Sequence, residues 1–209
     1  MKLIKNTFKK YKVKIFFLLT FFLIFISGHS KILSNELDVI DLISRNDNLT
    51  TFYKYLKKTG LDNVLKGKSP WDWTVFAPSN KAFNHIPSIL KNEVLVNNFL
   101  SQSLFLDHIL AKNKTSSNVN TSSEEITLSK KKIKLYNTSH LFVKDMIVKK
   151  KDLLATNGVV HIINCIMFVQ PSLEDDRLTE NIKKKFPITS CCMEKNYEVS
   201  LWKSNLKLN

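Results

Sequence analysis

The run Val159–Val169 (VVHIINCIMFV) is apolar at odd and even positions alike, interrupted at His161 and Asn164, and it follows directly on Asn157-Gly158. A strand that is apolar on both faces belongs in the middle of a sheet, and Asn-Gly before it sets a tight turn, so this stretch predicts a central strand. Pro171 closes it. Earlier in the chain, Trp71–Ala77 (WDWTVFA) alternates large apolar residues and stops at Pro78, which predicts a second strand. Ser79 and Asn80 then read as N-caps of a short helix carrying Ala82 and Phe83.

Around these strands the periodicity is mixed. Leu37, Ile40 and Ile43, then Leu49, Phe52, Tyr53 and Leu56, recur at helical spacing and predict two short amphipathic helices, punctuated by Gly60 and Gly67. A broken helix follows over 86–100 around Pro87, and 105–110 reads as strand. Residues 111–124 (AKNKTSSNVNTSSE) offer little to bury and predict an exposed loop before further short strands.

The N-terminus is an address. Six lysines precede residues 15–26 (IFFLLTFFLIFI), which run into Ser27-Gly28-His29-Ser30. That order predicts a secretory signal peptide over 1–30, the apolar run being shorter than the roughly 20 residues that a membrane span needs. If it stays uncleaved, it becomes a type II signal anchor with the domain still outside. Membrane association is expected only in that case. Residues 35–171 then form the domain and 172–209 a C-terminal tail or appended helix. With 209 residues, 44% of them hydrophobic, the chain can bury a real core.

Two segments carry a family pattern. Thr74-Val75-Phe76-Ala77-Pro78-Ser79-Asn80-Lys81-Ala82-Phe83 resembles the first signature of the fasciclin-like (FAS1, beta-ig-h3) domain, and Asn157-Gly158-Val159-Val160-His161-Ile162-Ile163 its second. The resemblance implies an α+β domain, a wedge or sandwich of short strands with helices packed along it, found in secreted and surface proteins that mediate adhesion. It implies no enzyme. The fold-signature residues Thr74, Phe76, Ala77, Pro78, Asn80, Ala82, Phe83, Asn157, Gly158, Val159 and His161 are accounted for by turns, caps and buried strands. The family also carries a Tyr-His pair, implicated in integrin binding, whose place here is Asp107-His108. The His is kept and the Tyr replaced, so Asp107 and His108 are the candidate partner contacts. Thr127-Leu128-Ser129-Lys130 and Asn164 depart from the family pattern too.

Other chemistries have little support. The histidines are scattered singly without zinc spacing, no nucleophile, base and orienter can be named together, and no Gly-rich phosphate loop exists among four glycines. No catalysis, cofactor or metal is expected. The +14 charge is nearly all lysine, with only Arg45 and Arg177, which argues against specific nucleic-acid readout. The triplets Lys130-Lys131-Lys132 and Lys149-Lys150-Lys151 supply the alternative function. On neighbouring strands of one face they would bind a polyanion, either sulfated glycan or anionic lipid. Asn48, Asn113, Asn120 and Asn137 begin glycosylation sequons. Cys165, Cys191 and Cys192 are an odd number, so one thiol stays free or bonds to another chain; the sequence leaves the pairing open, with Cys165 as a buried apolar residue and a tail tethered through Cys191 or Cys192 among the readings. The expected function is a secreted, non-catalytic adhesion or binding module whose partner is a surface or matrix protein or a glycan.

Overall fold

The computed structural model describes residues 37–169 and 192–206. The signal segment, the charged patches of the tail and Cys191 lie outside the described residues.

The chain opens with helix α1 (Val39–Ser44), the 3-10 turn Asp47–Leu49, and helices α2 (Thr50–Thr59) and α3 (Leu61–Leu65). Asp38 starts α1 through a reciprocal capping box with Asp41, and its second carboxylate oxygen accepts from Gly67 N–H at 2.8 Å. The first strand, β1 (Trp73–Pro78), is buried at every position. It begins two residues later than the alternation suggests, because Trp71 faces solvent while Trp73 is buried.

After β1 come a 3-10 turn (Asn80–Phe83), a π-helical turn (Leu90–Val94), helix α4 (Asn98–Leu106) and the two-residue strand β2 (Ile109–Leu110). Residues 105–110 are therefore a helix end and a turn, and only Ile109–Leu110 are the expected strand. Asn97 caps α4 by accepting from Leu100 N–H, and this cap outweighs the strand-like look of the apolar residues. Strands β3 (Ser122–Ile126), β4 (Lys132–Asn137), β5 (Leu141–Val143), β6 (Met146–Ile147), β7 (Lys150–Ala155) and β8 (Gly158–Ile163) follow, and helix α5 (Asn196–Leu206) ends the described chain.

The strands form two sheets. One runs β2-β1-β8-β7, with β1 and β8 parallel in the register Trp73↔Gly158 through Pro78↔Ile163; the other is the meander β3-β4-β5-β6. Alternation along the central pair divides the interior in two. Val75, Ala77, Val160 and Ile162 join Phe52, Leu56 and Phe105 on the helical side. Phe76 and Ile163 join Ile133, Leu135, Leu141 and Val143 of the second sheet. This two-sided burial is why Val159–Ile163 reads as apolar on both faces; β1, whose sequence reads as alternating, is likewise buried on both, Thr74 included.

The expected loop over 111–124 is less exposed than its composition suggests. It holds a 3-10 turn (Ser116–Asn118) with Ser116 and Val119 buried, and β3 begins at Ser122. Polar groups hold it down: Thr74 Oγ1 donates to Lys112 O at 2.5 Å and accepts from Lys114 N–H at 2.9 Å, and the Asp152 carboxylate accepts from Ser116 N–H at 2.8 Å. Hydrogen bonding does here what apolar burial does elsewhere. Beyond Pro171, residues 192–206 return to the domain, where Met193, Val199 and Trp202 enter the helical-side core.

Candidate functional site

Asp107 and His108 sit where α4 ends and β2 begins, and both are completely buried. His108 Nδ1 lies 3.1 Å from Leu104 O, and Nε2 accepts from Met167 N–H at 2.8 Å, which assigns a neutral ring protonated on Nδ1. Burial lowers its pKa to about 3, against the opposing pull of the Leu104 carbonyl. Asp107 accepts from Ser129 Oγ, from Lys131 Nζ at 3.1 Å and from Val169 N–H at 3.2 Å. Burial raises its carboxyl pKa, and Lys131, Ser129 and Val169 N–H pull it back. The apolar residues around them predict a strand, and the family resemblance makes the two direct partner contacts. Instead they tie α4, the β3–β4 turn and the segment after β8 together from inside, and no partner can reach them without opening the fold.

The altered turn Thr127-Leu128-Ser129-Lys130 now has a physical reading, since Ser129 is the residue that bonds Asp107. Lys131 extends the cluster outward: besides pairing with Asp107, its ammonium lies 5.7 Å from the Trp202 ring centroid. The sequence reading singles out Ser129 as a departure from the family turn and Lys131 as a polyanion contact, but not the link of either to Asp107, and it assigns Trp202 no role. The signal Trp202 left there is an indole at helical spacing between Val199 and Leu206.

The signature residues form a second network. Asn157 is buried, accepts from Val39 N–H at 2.9 Å and donates to Leu65 O at 2.8 Å and Gly67 O at 2.7 Å, so one side chain joins the start of α1 to the end of α3 and its exit. The tight turn is Thr156-Asn157, and Gly158 is already paired with Ala155 as the first residue of β8. Asn80 does not cap its own turn. Its carbonyl oxygen accepts from Thr51 N–H at 2.9 Å and its amide donates to Asp47 O at 2.8 Å, clamping the entry to α2. Ser79, at the N-cap position, donates to Asn164 Oδ1 at 2.8 Å. His161 stacks on Phe76 with centroids 5.5 Å apart, donates through Nε2 to Lys114 O at 2.8 Å, and accepts on Nδ1 from Asp152 N–H at 3.2 Å.

The lysine triplets are placed apart. Lys130 and Lys131 lie in the β3–β4 turn and Lys132 opens β4 in one sheet, while Lys149–Lys151 form the entry of β7 in the other, so they do not lie on neighbouring strands. Lys131 is engaged with Asp107, and Lys132 pairs with Glu124 at 2.9 Å. Of the sequons, Asn48 and Asn120 are exposed and Asn113 is half-buried. Asn137 Nδ2, the atom a glycan would take, already donates to Ser116 O at 2.7 Å and Val119 O at 3.3 Å. Cys165 and Cys192 form a disulfide within the chain, so Cys165 is not a free core thiol and Cys192 is not a free tether.

The buried histidines give stability a pH dependence. For His108 the folded-state pKa of about 3 lies below the unfolded value near 6.5, so between them the unfolded chain binds more protons and stability falls as pH falls. His161, also lowered by burial, acts in the same direction; Asp107, raised by burial, acts in the opposite one. Urea unfolding at pH of about 7, 6 and 5 should show wild type losing up to about 1.4 kcal/mol per pH unit more than His108→Asn, which does not titrate. Equal slopes would remove His108 from the account.

The architecture is thus that of an α+β domain whose buried polar groups serve the fold. The Fasciclin domain family model matches residues 47–169, and the chain belongs to that family. It is 25% identical over 153 residues to periostin of Homo sapiens, covering 71% of this chain and 18% of the relative. To the transforming growth factor-beta-induced protein ig-h3 of Sus scrofa it is 27% identical over 129 residues, covering 61% of this chain and 19% of the relative. The chain thus spans under a fifth of the length of these curated relatives. Among solved structures, a FAS1 domain pair from the insect cell adhesion molecule Fasciclin I is similar, with TM-score 0.41 and 22% identity over 57% of this chain and 44% of that one.

Proposed function

We propose that this protein is a non-catalytic adhesion module that works outside the cell and binds a surface or matrix protein. The observation that carries this reading is the family match over 47–169, together with the use the fold makes of Asp107, His108, Asn157 and His161. Polar side chains spent on holding elements together do not converge on an open substrate site. The surface itself offers apolar anchors: Val96 and Phe99, flanking the N-cap of α4, are 59% and 68% exposed. The secretory reading of residues 1–30 supports the same location, and among the described residues no helix is long and apolar enough to cross a membrane. Glycans on the exposed Asn48 and Asn120 fit this route.

The second reading is polyanion binding through the exposed lysines Lys130, Lys132, Lys149, Lys150 and Lys151. Lys131 is excluded from its test, because removing it strands the buried Asp107 carboxylate and costs stability for reasons unrelated to binding. A heparin column compares residues 31–209 with a variant carrying the other five lysines changed to Gln. With the triplets on separate sheets, both proteins should elute early and within a small salt difference. Wild type eluting far above physiological salt, with the variant released early, would put the polyanion reading first.

A further inference from the structure

The family match ends at Val169, yet the chain comes back to the domain with Cys192. Residues 192–206 are held at several points. Trp202, 2% exposed, meets the Phe168 ring edge-on at 5.4 Å, with Lys131 over its face. The Lys203 ammonium pairs with the Glu93 carboxylate. Asn196 accepts from Ile89 N–H at 3.0 Å and donates to Ser88 Oγ at 3.0 Å. The Glu198 carboxylate accepts from Glu194 and Lys195 N–H at 2.8 Å each, fixing the start of the helix. At the near end the Cys165–Cys192 disulfide closes the attachment.

We propose that this segment is an exchangeable arm, and that the groove beneath it is an interaction surface for the same arm of a second copy of this chain. The proposal rests on the adhesion-module reading and names one partner for it. A second copy is the occupant to which the groove is already complementary: indole to Phe168, lysine to Glu93, asparagine to Ser88 and Ile89, thiol to Cys165. Twenty-two residues, 170–191, join the domain to the arm, a contour of roughly 70 Å at full extension, enough to reach a neighbouring molecule. The disulfide decides when exchange occurs. Both cysteines line a cavity of about 280 Å³ shared with Lys81, His85 and Glu194, which opens the bond to an incoming thiolate; Cys165 is buried and Cys192 partly exposed, so Cys192 is the sulfur more open to attack.

The chemistry is ordinary thiol exchange. A small thiolate attacks Cys192 Sγ, forming a mixed disulfide and releasing Cys165 as the thiolate. Once the same attack has opened the bond of a second copy and the arm has moved, that copy's Cys165 thiolate attacks Cys192 Sγ of the mixed disulfide and expels the small thiolate. The net result is a bond between copies, with no change in oxidation state. While the bond within one chain is intact, the arm stays at home because its effective concentration there exceeds that of any neighbour.

Equal amounts of isotopically light and heavy full-length mature protein, mixed at high concentration, test this with a glutathione buffer as the thiol source. The expected product is a disulfide-linked dimer whose proteolytic digest contains Cys165–Cys192 peptides of mixed isotope, retained in Cys191→Ser. Same-isotope Cys165–Cys192 peptides alone, or a dimer lost in Cys191→Ser, would overturn the proposal. Hydrogen exchange of the reduced protein provides a second decision. Amides of Asn196–Leu206 should exchange at least about tenfold faster while β1 and β8 stay protected; an unchanged helix, or loss of protection everywhere, contradicts an exchangeable arm. Either failure leaves cell attachment untouched, so it is distinguishable from failure of the adhesion reading.

Discussion

Gly158→Ala is expected to cost at least about 4 kcal/mol and to leave little folded protein, the largest effect among the described glycines. A Cβ at that position would stand 2.0 Å from Trp73 O and 2.7 Å from Trp73 N, both backbone atoms of the parallel neighbour, and the residue adopts φ +151°. Neither side can yield, because Trp73↔Gly158 is the first pair of the β1–β8 register and both strands are buried. Gly67→Ala is the control. Gly67 has φ +70° but open space around its Cβ position, so only the backbone penalty of about 1 kcal/mol applies. Urea unfolding of the two variants should separate them by several kcal/mol; similar midpoints would mean that β1 and β8 do not pair in this register.

Asn157→Ala should rank second, at about 3–5 kcal/mol. The substitution leaves Val39 N–H and the carbonyls of Leu65 and Gly67 without their side-chain partner, and a buried polar group left unpaired costs roughly 1–3 kcal/mol. Asn157→Asp separates geometry from chemistry. It keeps an acceptor for Val39 N–H but turns a second carboxylate oxygen toward two carbonyls, so it should be no better than alanine. Measured losses below about 1 kcal/mol for both variants would show that the start of α1 and the end of α3 are held by packing alone.

These two residues also show what a sequence makes legible. The turn before β8 was readable to within one residue because Asn-Gly is local chemistry, β8 because burial on both faces removes the alternation, and β1 from its alternating large apolar residues and the stop at Pro78. The partners of Asn157 were not readable, since Val39 and Leu65 lie 118 and 92 residues away along the chain. Asp107 and His108 failed for a related reason: their apolar neighbours look the same on a buried helix end as on a strand, and only the Asn97 cap distinguishes them. In the 111–124 segment, composition registered missing apolar bulk but not the hydrogen bonds from Thr74, Asp152 and His161 that replace it. Cysteine pairing depends on where a distant segment returns, so the Cys165–Cys192 bond had to come from the fold.

The adhesion reading is tested most directly by attachment of cultured fibroblasts to surfaces coated with residues 31–209. Three proteins are compared: wild type, the Val96→Ser/Phe99→Ser double variant, and the five-lysine variant that retains Lys131. The account predicts attachment to wild type and to the lysine variant, undiminished by soluble heparin, and at least a severalfold loss with the double variant, whose exposed side chains carry no packing role in the core. Attachment that vanishes with heparin or with the lysines, and survives the loss of Val96 and Phe99, would contradict it.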